Sequence, residues 1–440
     1  RSNPLGLLDQ CHGDVVPLRL GKTAWLVLNP ADTEHILEHS ETRYTKGRAF
    51  RFGRQLYGNS LLVSEGEEHR RQVRQIGRLF FQHAAKSFLQ PAVDITKRWM
   101  ERWKLGEPFD LWSSLLELTL AISSRALFGQ DFLPGWLTNQ NDQQSRQILN
   151  AYDEAMDHVA RQNFSLLPLP DWIPSAGNRR YKQAIRTLNT ALQSSVEKRL
   201  SGEASGGFLD VLLNVHRKTP ALLSENEVRD QALVLLLGGY ESTATALCWT
   251  ILLLAVHDPI RQQLQEEIQR VVNTDVPHSN HIPQLRYTGQ VFSESVRLYP
   301  PPWLIPRTSI CDETLPSGHR IRSNSQVFLS PYCLQRNPRL FENPLRFDPN
   351  RFASNGQHAF PSGCYFPFGA GPRHCLGESI ARSQAALIIA TLFRCHYFHL
   401  PSKELPPANP LLTLRPTFPI PVQLKRANDE SENDFNPMTY

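Results

Sequence analysis

A cysteine bounded by glycines near the C-terminal end constrains the fold of this chain most strongly. Residues 366–377 read FPFGAGPRHCLG, and an apolar segment of helical character follows directly. Cys375 is therefore expected just before a helix, where the positive end of the helix dipole and free N–H groups favour a thiolate. The glycines around it let backbone approach a flat ligand closely. A lone buried cysteine in such a turn is more often structural, so further motifs must decide between the two interpretations.

The second constraint is a long apolar segment, residues 231–256, which carries a single charged residue, Glu241. Its length and composition fit a transmembrane helix. Ser224 and Glu227, however, form a capping-box pattern ahead of it, and Gly238-Gly239 interrupt the apolar run. A carboxylate is costly in lipid but is a functional candidate in a protein interior. We expect a buried central helix, distorted at the glycines.

The pattern of the whole chain predicts a mainly α fold with small segregated β-sheets. Apolar periodicity and β-branched alternation predict short strands within 15–28, and a terminal hairpin is predicted over 411–425. Residues 1–426 are predicted to form a single domain, followed by a disordered acidic tail, 427–440. Helices are predicted at 31–39, 65–104, 110–128, 142–165, 178–201, 224–257, 258–273 and 376–394.

Charge and cysteine usage exclude several classes of protein. The net charge is +5 without a Lys/Arg-rich arm, so no nucleic-acid partner is expected. Seven cysteines without a CxxC argue against a disulfide scaffold or a structural zinc site and favour a reducing compartment. No HExxH or GxSxG motif is present. We expect a cytoplasmic monomer, and leave open an anchor upstream of Arg1.

Four motifs together resemble the cytochrome P450 family. The spacing Phe368-x-x-Gly371-x-Arg373-x-Cys375-x-Gly377 is similar to its haem-binding signature. Three further motifs follow the family's order along the chain: the small-acid-alcohol sequence Gly238-Gly239-Tyr240-Glu241-Ser242-Thr243, the pair Glu294 and Arg297, and the segment 347–352 with Arg351.

The resemblance implies a triangular fold with haem b buried between the central helix and the cysteine loop, and Cys375 as the axial thiolate ligand to iron. It implies that Glu241 relays protons together with Ser242 or Thr243; the family usually has Thr where Ser242 stands. Glu294, Arg297 and Arg351 would form a structural network. The residues implied to contact haem are Phe368, Gly369, Gly377, Gly239, Arg373, Arg307, His69 and Arg74. Val73 occupies the position of a usual arginine, so either Arg70 or Arg74 would replace it or that contact is missing. Trp303, Leu304, Ile305 and Phe418, at the tip of the predicted hairpin, are implied to line the substrate pocket, as are residues 48–62 and 164–174.

The function that the resemblance implies is monooxygenation. One atom of O2 would enter a lipophilic small molecule of secondary metabolism, such as a terpenoid, fatty acid or polyketide. Electrons would come from a separate ferredoxin, flavodoxin or reductase, since no such domain is recognisable in the chain. Two alternatives stay open: a peroxide-driven haem peroxygenase, and a non-catalytic haem- or lipid-binding protein.

Overall fold

The computed structural model describes residues 4–19, 23–50, 53–129, 143–164, 170, 172–203, 205–273, 276–353 and 360–427. Almost all of the predicted tail, 427–440, lies outside the described residues, as do 165–169 and 171 of the predicted pocket segment.

Helices dominate the described part of the chain, as predicted. Their bounds are α1 Pro4–Asp9, α2 Pro30–Glu38, α3 Arg54–Tyr57, α4 Gly66–Met100, α5 Leu111–Phe128, α6 Gln143–Phe164, α7 Ala176–Leu200, α8 Phe208–Lys218, α9 Glu225–Val256, α10 Asp258–Val272, α11 Arg286–Leu298, α12 Pro331–Leu334 and α13 Glu378–Phe393. The periodicity did not predict α8, a short amphipathic helix.

The central helix α9 begins and packs as the sequence indicates. The Ser224 side chain accepts a hydrogen bond from the Glu227 N–H, and the Glu227 carboxylate accepts one from the Ser224 N–H, which completes the predicted capping box. The helix is long and apolar enough to span a membrane, but 72% of its most apolar window is buried inside the protein. Its composition therefore reflects a core position between α5 and α11.

The strands form small sheets beside this helical body. A five-stranded sheet has the order β1-β2-β8-β5-β3, with a parallel β2–β8 pair, and a three-stranded antiparallel sheet has the order β4-β12-β9. Two-stranded ladders pair β6 with β7 and β10 with β11. The bounds are β1 Val15–Arg19, β2 Thr23–Val27, β3 Tyr44–Thr45, β4 Pro108–Asp110, β5 Ile305–Ser309, β6 Glu313–Thr314, β7 Arg320–Ile321, β8 Gln326–Leu329, β9 His396–His399, β10 Ala408–Pro410, β11 Leu414–Pro416 and β12 Pro421–Arg426.

The predicted hairpin over 411–425 is wrong. β11 pairs with β10, which precedes it, and β12 pairs with β4 and β9 instead. Pro416, Pro419 and Pro421 have no backbone N–H to donate, so the two halves of the segment do not form a ladder with each other. The turn of the observed hairpin is therefore 411–413, between β10 and β11.

Candidate active site

The cysteine loop holds the Cys375 sulfur in a recess at the start of α13. The Cys375 N–H donates to the Phe368 carbonyl at 2.9 Å, which closes the loop. Cys375 is exposed, yet the protein around its sulfur raises the pKa of the thiol by desolvation. Hydrogen bonds from the Gly377 and Glu378 N–H groups oppose this rise. These two donors belong to the helix start, so they stabilise negative charge on sulfur.

Two glycines in the loop have left-handed backbone conformations. Gly371, at φ +66°, packs so tightly on α2 that an added Cβ would lie 2.3 Å from the Leu37 carbonyl oxygen. Gly369, at φ +70°, has only the Arg373 carbonyl oxygen near its added Cβ, at 3.7 Å. The first glycine seats the loop against α2, and the second leaves open space beside Phe368.

A cluster of basic side chains, Lys46, His69, Arg307 and Arg373, lies behind the loop; we call it the cationic cluster. Arg373 donates to Glu65 Oε2 at 2.5 Å and lies 3.4 Å from Glu41 Oε1. His69 contacts the same Glu41 carboxylate.

The charges of the cationic cluster are not balanced from within. Burial, together with Arg373 and Lys46, lowers the pKa of His69 to about 3, so this ring is neutral at pH 7. Burial and Arg373 lower the pKa of Arg307 to about 10, and burial, Arg373 and Arg307 hold that of Lys46 well below its usual value. The buried Nη1 of Arg373 has no hydrogen-bond partner among the described residues. This arrangement has room for an anionic group.

The structure brings His69, Arg307 and Arg373 together but not Arg74. Arg74 is exposed and donates to the Arg70 carbonyl at 3.3 Å, so the prediction that it replaces the missing arginine at Val73 is wrong. The helical turn points it outward. Lys46 enters the cluster instead; it follows β3 and carries no motif that would have marked it.

A second buried network is complete. Arg297 donates to both oxygens of Glu294, at 2.6 and 2.8 Å, and to the carbonyls of Gln335, Pro344 and Arg346. Arg351 Nε lies 3.3 Å from Glu294 Oε1. We call Glu294, Arg297 and Arg351 the Glu294 network.

On the other side, α9 presents its small-residue face to open space. Gly238 is exposed, and an added Cβ would meet nothing within 4 Å, whereas one at Gly239 would meet Ser123 Oγ at 3.4 Å. The helix is continuous from Glu225 to Val256, so the glycines do not interrupt it. Ser242 and Thr243 donate to the Gly238 and Gly239 carbonyls, at 2.8 and 2.6 Å.

Glu241 points away from that face. Its carboxylate is 2% exposed and accepts hydrogen bonds from Thr413 at 2.6 Å, Arg415 Nε at 3.0 Å and the Tyr152 hydroxyl at 2.9 Å. Arg415 and Thr413 lie on β11 and the turn before it, far along the chain from α9. Sequence reasoning missed these partners.

The predicted pocket residues differ in position. Trp303 is 2% exposed and donates to the Leu411 carbonyl at 2.8 Å, so it belongs to the core and not to the pocket wall. Phe418 is 49% exposed and stacks on Trp112, after the hairpin and not at its tip. The structure thus corrects the prediction for Trp303 and the hairpin-tip position of Phe418, while a pocket role for Phe418 stays a prediction. Leu304 and Ile305 are half-buried, each against a separate apolar cluster.

These observations fit a haem. The recess offers an exposed sulfur with two N–H donors, the cationic cluster offers an unpaired arginine nitrogen to a carboxylate, and Gly238 and Gly369 leave space for a flat ring. Fold and site together define a haem-thiolate oxidoreductase.

The chain belongs to the cytochrome P450 family, because the sequence model of that family matches residues 4–423. It is 32% identical over 384 residues to cyclooctat-9-en-7-ol 5-monooxygenase of Streptomyces melanosporofaciens, covering 87% of this chain and 82% of that protein. It is 28% identical to pentalenene oxygenase of Streptomyces avermitilis, covering 87% and 83%. The crystal structure of the heme domain of cytochrome P450DA superposes with a TM-score of 0.83 at 23% identity, covering 94% of this chain and 89% of that one.

The family match confirms the predicted recognition, the mainly α fold and the class of enzyme, a P450 monooxygenase with a haem-thiolate cofactor.

Proposed function

We propose that this enzyme hydroxylates, or otherwise oxidises, a lipophilic terpenoid with O2, using haem b ligated by Cys375 and electrons from a separate protein. The observation that carries the proposal is the exposed Cys375 at the start of α13, whose sulfur is faced by the Gly377 and Glu378 N–H groups, beside Arg373, whose Nη1 has no hydrogen-bond partner among the described residues. When bound, the haem supplies activation of O2 at a thiolate-ligated iron.

The protein side of the chemistry begins with placement of the cofactor. Cys375 would hold the iron, and its two N–H donors would keep the sulfur charge in the range of a stable thiolate ligand. Arg373, Arg307 and Lys46 would hold the propionate carboxylates of haem, since they are buried cations with one nitrogen unpaired. Neutral His69 would donate or accept a hydrogen bond there without adding charge.

The distal residues would handle protons. Glu241 would bind and release a proton at its carboxylate. Ser242 is the next residue and lies on the open face of α9. Because Glu241 points away from that face, a proton that leaves the carboxyl would need an intervening group, such as a water molecule, to reach Ser242 Oγ. We favour Ser242 over Thr243, because Ser242 occupies the position where the family usually has a threonine.

The terpenoid assignment rests on two relatives. One is named for a monooxygenation of cyclooctat-9-en-7-ol and the other for oxygenation of pentalenene. The open face of α9 suits such bulky apolar molecules, because Gly238 contributes no side chain to it.

The electron donor would dock on an exposed stripe of α4, which we call the α4 stripe: Arg70, Arg74, Arg78 and Phe81. This helix passes next to the cysteine loop, where an added Cβ on Gly77 would lie 3.5 Å from Leu376 Cδ1. A cationic stripe with an exposed aromatic fits an acidic ferredoxin or flavodoxin. The cytoplasmic location and the monomeric state stay predictions.

Replacement of the two loop-region cysteines tests the proposal. We expect Cys375→Ala to lose the thiolate-type spectrum of the reduced carbon monoxide complex and all turnover. Cys364 is the matched control, since it is buried and donates to the Pro361 carbonyl at 2.8 Å. Cys364→Ala should keep both properties. The reverse pattern would overturn the assignment.

The same preparations separate the alternatives. Titration of ferric protein with cyclooctat-9-en-7-ol should shift the spin state, and NADPH with a ferredoxin and its reductase should then give a hydroxylated product. Turnover with hydrogen peroxide alone would indicate a peroxygenase. A histidine-type carbon monoxide spectrum, or no haem uptake, would indicate a non-catalytic binding protein.

A further inference from the structure

We propose that Arg415 is a positioning residue for Glu241: with Thr413 it anchors carboxylate oxygen Oε1 and leaves Oε2 as the oxygen that exchanges a proton. This inference rests on the proposed monooxygenase function and adds a residue that no motif marks.

The two carboxylate oxygens have unequal partners. Oε1 accepts hydrogen bonds from Arg415 Nε at 3.0 Å and from Thr413 Oγ1 at 2.6 Å, and it lies 3.0 Å from Arg415 Nη2 in an ion pair. Among the described residues, the one donor to Oε2 is the Tyr152 hydroxyl, at 2.9 Å. Oε1 has two contacts with an ionised donor and one with a hydroxyl, whereas Oε2 has a single contact with a neutral hydroxyl. The carboxylate therefore stays fixed through Oε1, while Oε2 can change partner at lower cost.

Arg415 is itself held in place. Its side chain is buried, and its guanidinium lies 5.7 Å from the centre of the Trp112 ring on α5. A buried charge paired with a buried carboxylate contributes little net stability. An arginine in this position is better explained by control of the Glu241 conformation than by stabilisation of the fold.

The anchor also connects the acid to a partly exposed turn. Thr413 belongs to the 411–413 turn, whose Leu411 carbonyl accepts from Trp303 and whose Leu412 is exposed. Thr413 Oγ1 further lies 3.3 Å from Thr245 Oγ1, one turn after Glu241. Displacement of this turn by a substrate would change the support of the carboxylate at the same time.

The proposed exchange at Glu241 moves one proton out and one proton back in. Oε2 of Glu241 releases one proton toward the cavity. The carboxylate is left ionised against Arg415, and solvent restores its proton. No electron is transferred in this exchange.

The test measures how the electrons from NADPH divide between oxidised product and hydrogen peroxide. With cyclooctat-9-en-7-ol as the probe, NADPH consumed through a ferredoxin and its reductase ends either in product or in hydrogen peroxide. For Arg415→Met we expect about tenfold less product per NADPH, a part of the usual general-acid contribution, with the lost equivalents appearing as hydrogen peroxide. Arg415→Lys should recover most of the product, because it restores the charge.

A peroxide-driven assay separates positioning from folding. Hydrogen peroxide brings its own protons, so Arg415→Met should keep a peroxide-driven rate within about twofold of the unmodified enzyme. Arg102→Met is the matched control: Arg102 pairs with Glu117 at 3.3 Å and lies 5.8 Å from the Trp103 ring, away from the site. It should change neither assay.

Tyr152→Phe and Thr413→Val remove single hydroxyls and serve where Arg415→Met takes up no haem. Each should lower product per NADPH by a smaller factor than Arg415→Met while sparing the peroxide-driven rate. Unchanged division of NADPH in all of these variants, or equal losses in both assays, would overturn the inference. Unmodified enzyme that oxidises the probe in neither assay would instead overturn the proposed function.

Discussion

Two buried charge networks lie near Cys375, and they differ in whether the protein completes them. In the Glu294 network every nitrogen of Arg297 donates to the protein, and Glu294 also accepts from the Asp348 N–H at 3.0 Å. In the cationic cluster, Arg373 keeps a buried nitrogen without a partner, and three cations face two carboxylates, Glu41 and Glu65.

The difference indicates separate roles. A complete network supports neighbouring backbone: Gln335 donates to the Arg297 carbonyl at 2.9 Å and accepts from the Phe366 N–H at 3.1 Å, which connects α11 to the start of the cysteine loop. An incomplete network is suited to bind, because a buried donor without a partner costs about 1–3 kcal/mol until a ligand satisfies it. Breaking each network should therefore have different consequences.

The largest effect is expected from Glu294→Gln. It leaves Arg297 buried without its countercharge, which should lower the free energy of unfolding by about 3–5 kcal/mol. Urea unfolding followed by tryptophan fluorescence measures this loss. Glu107→Gln is the control, since Glu107 pairs with Lys104 on the surface and should cost under about 1 kcal/mol. Equal losses in the two variants would contradict a structural role for the Glu294 network.

A middle-sized effect is expected from Arg373→Met. In the same urea assay the variant should lose less stability than Glu294→Gln, because it removes a buried nitrogen without a partner along with the contacts to Glu41 and Glu65. It should hold haem about 10–100-fold less tightly, since one charge-assisted hydrogen bond of about 1.5–3 kcal/mol is lost.

The rate of haem transfer to excess apomyoglobin measures this retention. Arg43→Met is a suitable control: Arg43 pairs with Glu313 at 3.2 Å and is half-exposed outside the cluster. Unchanged haem transfer together with a large loss of stability would place Arg373 with the structural arginines instead.

The two networks also differ in how far the sequence predicts them. Glu294 and Arg297 are three residues apart on one helix, so their pairing follows from helix geometry. In the cationic cluster, Lys46 and the carboxylate partners Glu41 and Glu65 belong to separate segments before and after α3. Their approach to Arg373 depends on how these segments pack. The spacing of residues within one segment does not predict contacts between separate segments.

The same division explains the distal side. Successive residues of a helix differ by about 100°, so Glu241 and Ser242 had to face different directions. That Arg415 would meet Glu241 depends on the pairing of β11 with β10, which the sequence predicted wrongly because it joined β11 to β12. Long-range strand pairing thus decided the environment of the acid.

The smallest effect is expected from Arg74→Glu. Because Arg74 lies outside the cationic cluster, haem transfer should be unchanged, and only association with an acidic electron donor should weaken. A single surface charge is worth about 0.2–1 kcal/mol, so the Kd for a ferredoxin should rise about two- to fivefold at low salt and converge with that of the unmodified enzyme at high salt. Spectral titration with ferredoxin measures both values.

Arg320→Glu is the control for that last variant, since Arg320 is an exposed arginine on β7, away from the α4 stripe. It changes the net charge by the same amount, so any general effect of charge appears in both variants. A larger Kd for Arg74→Glu alone assigns the effect to the α4 stripe. Faster haem loss from Arg74→Glu would instead return this arginine to the propionate site, and the boundary between the cofactor site and the docking surface would have to be drawn again.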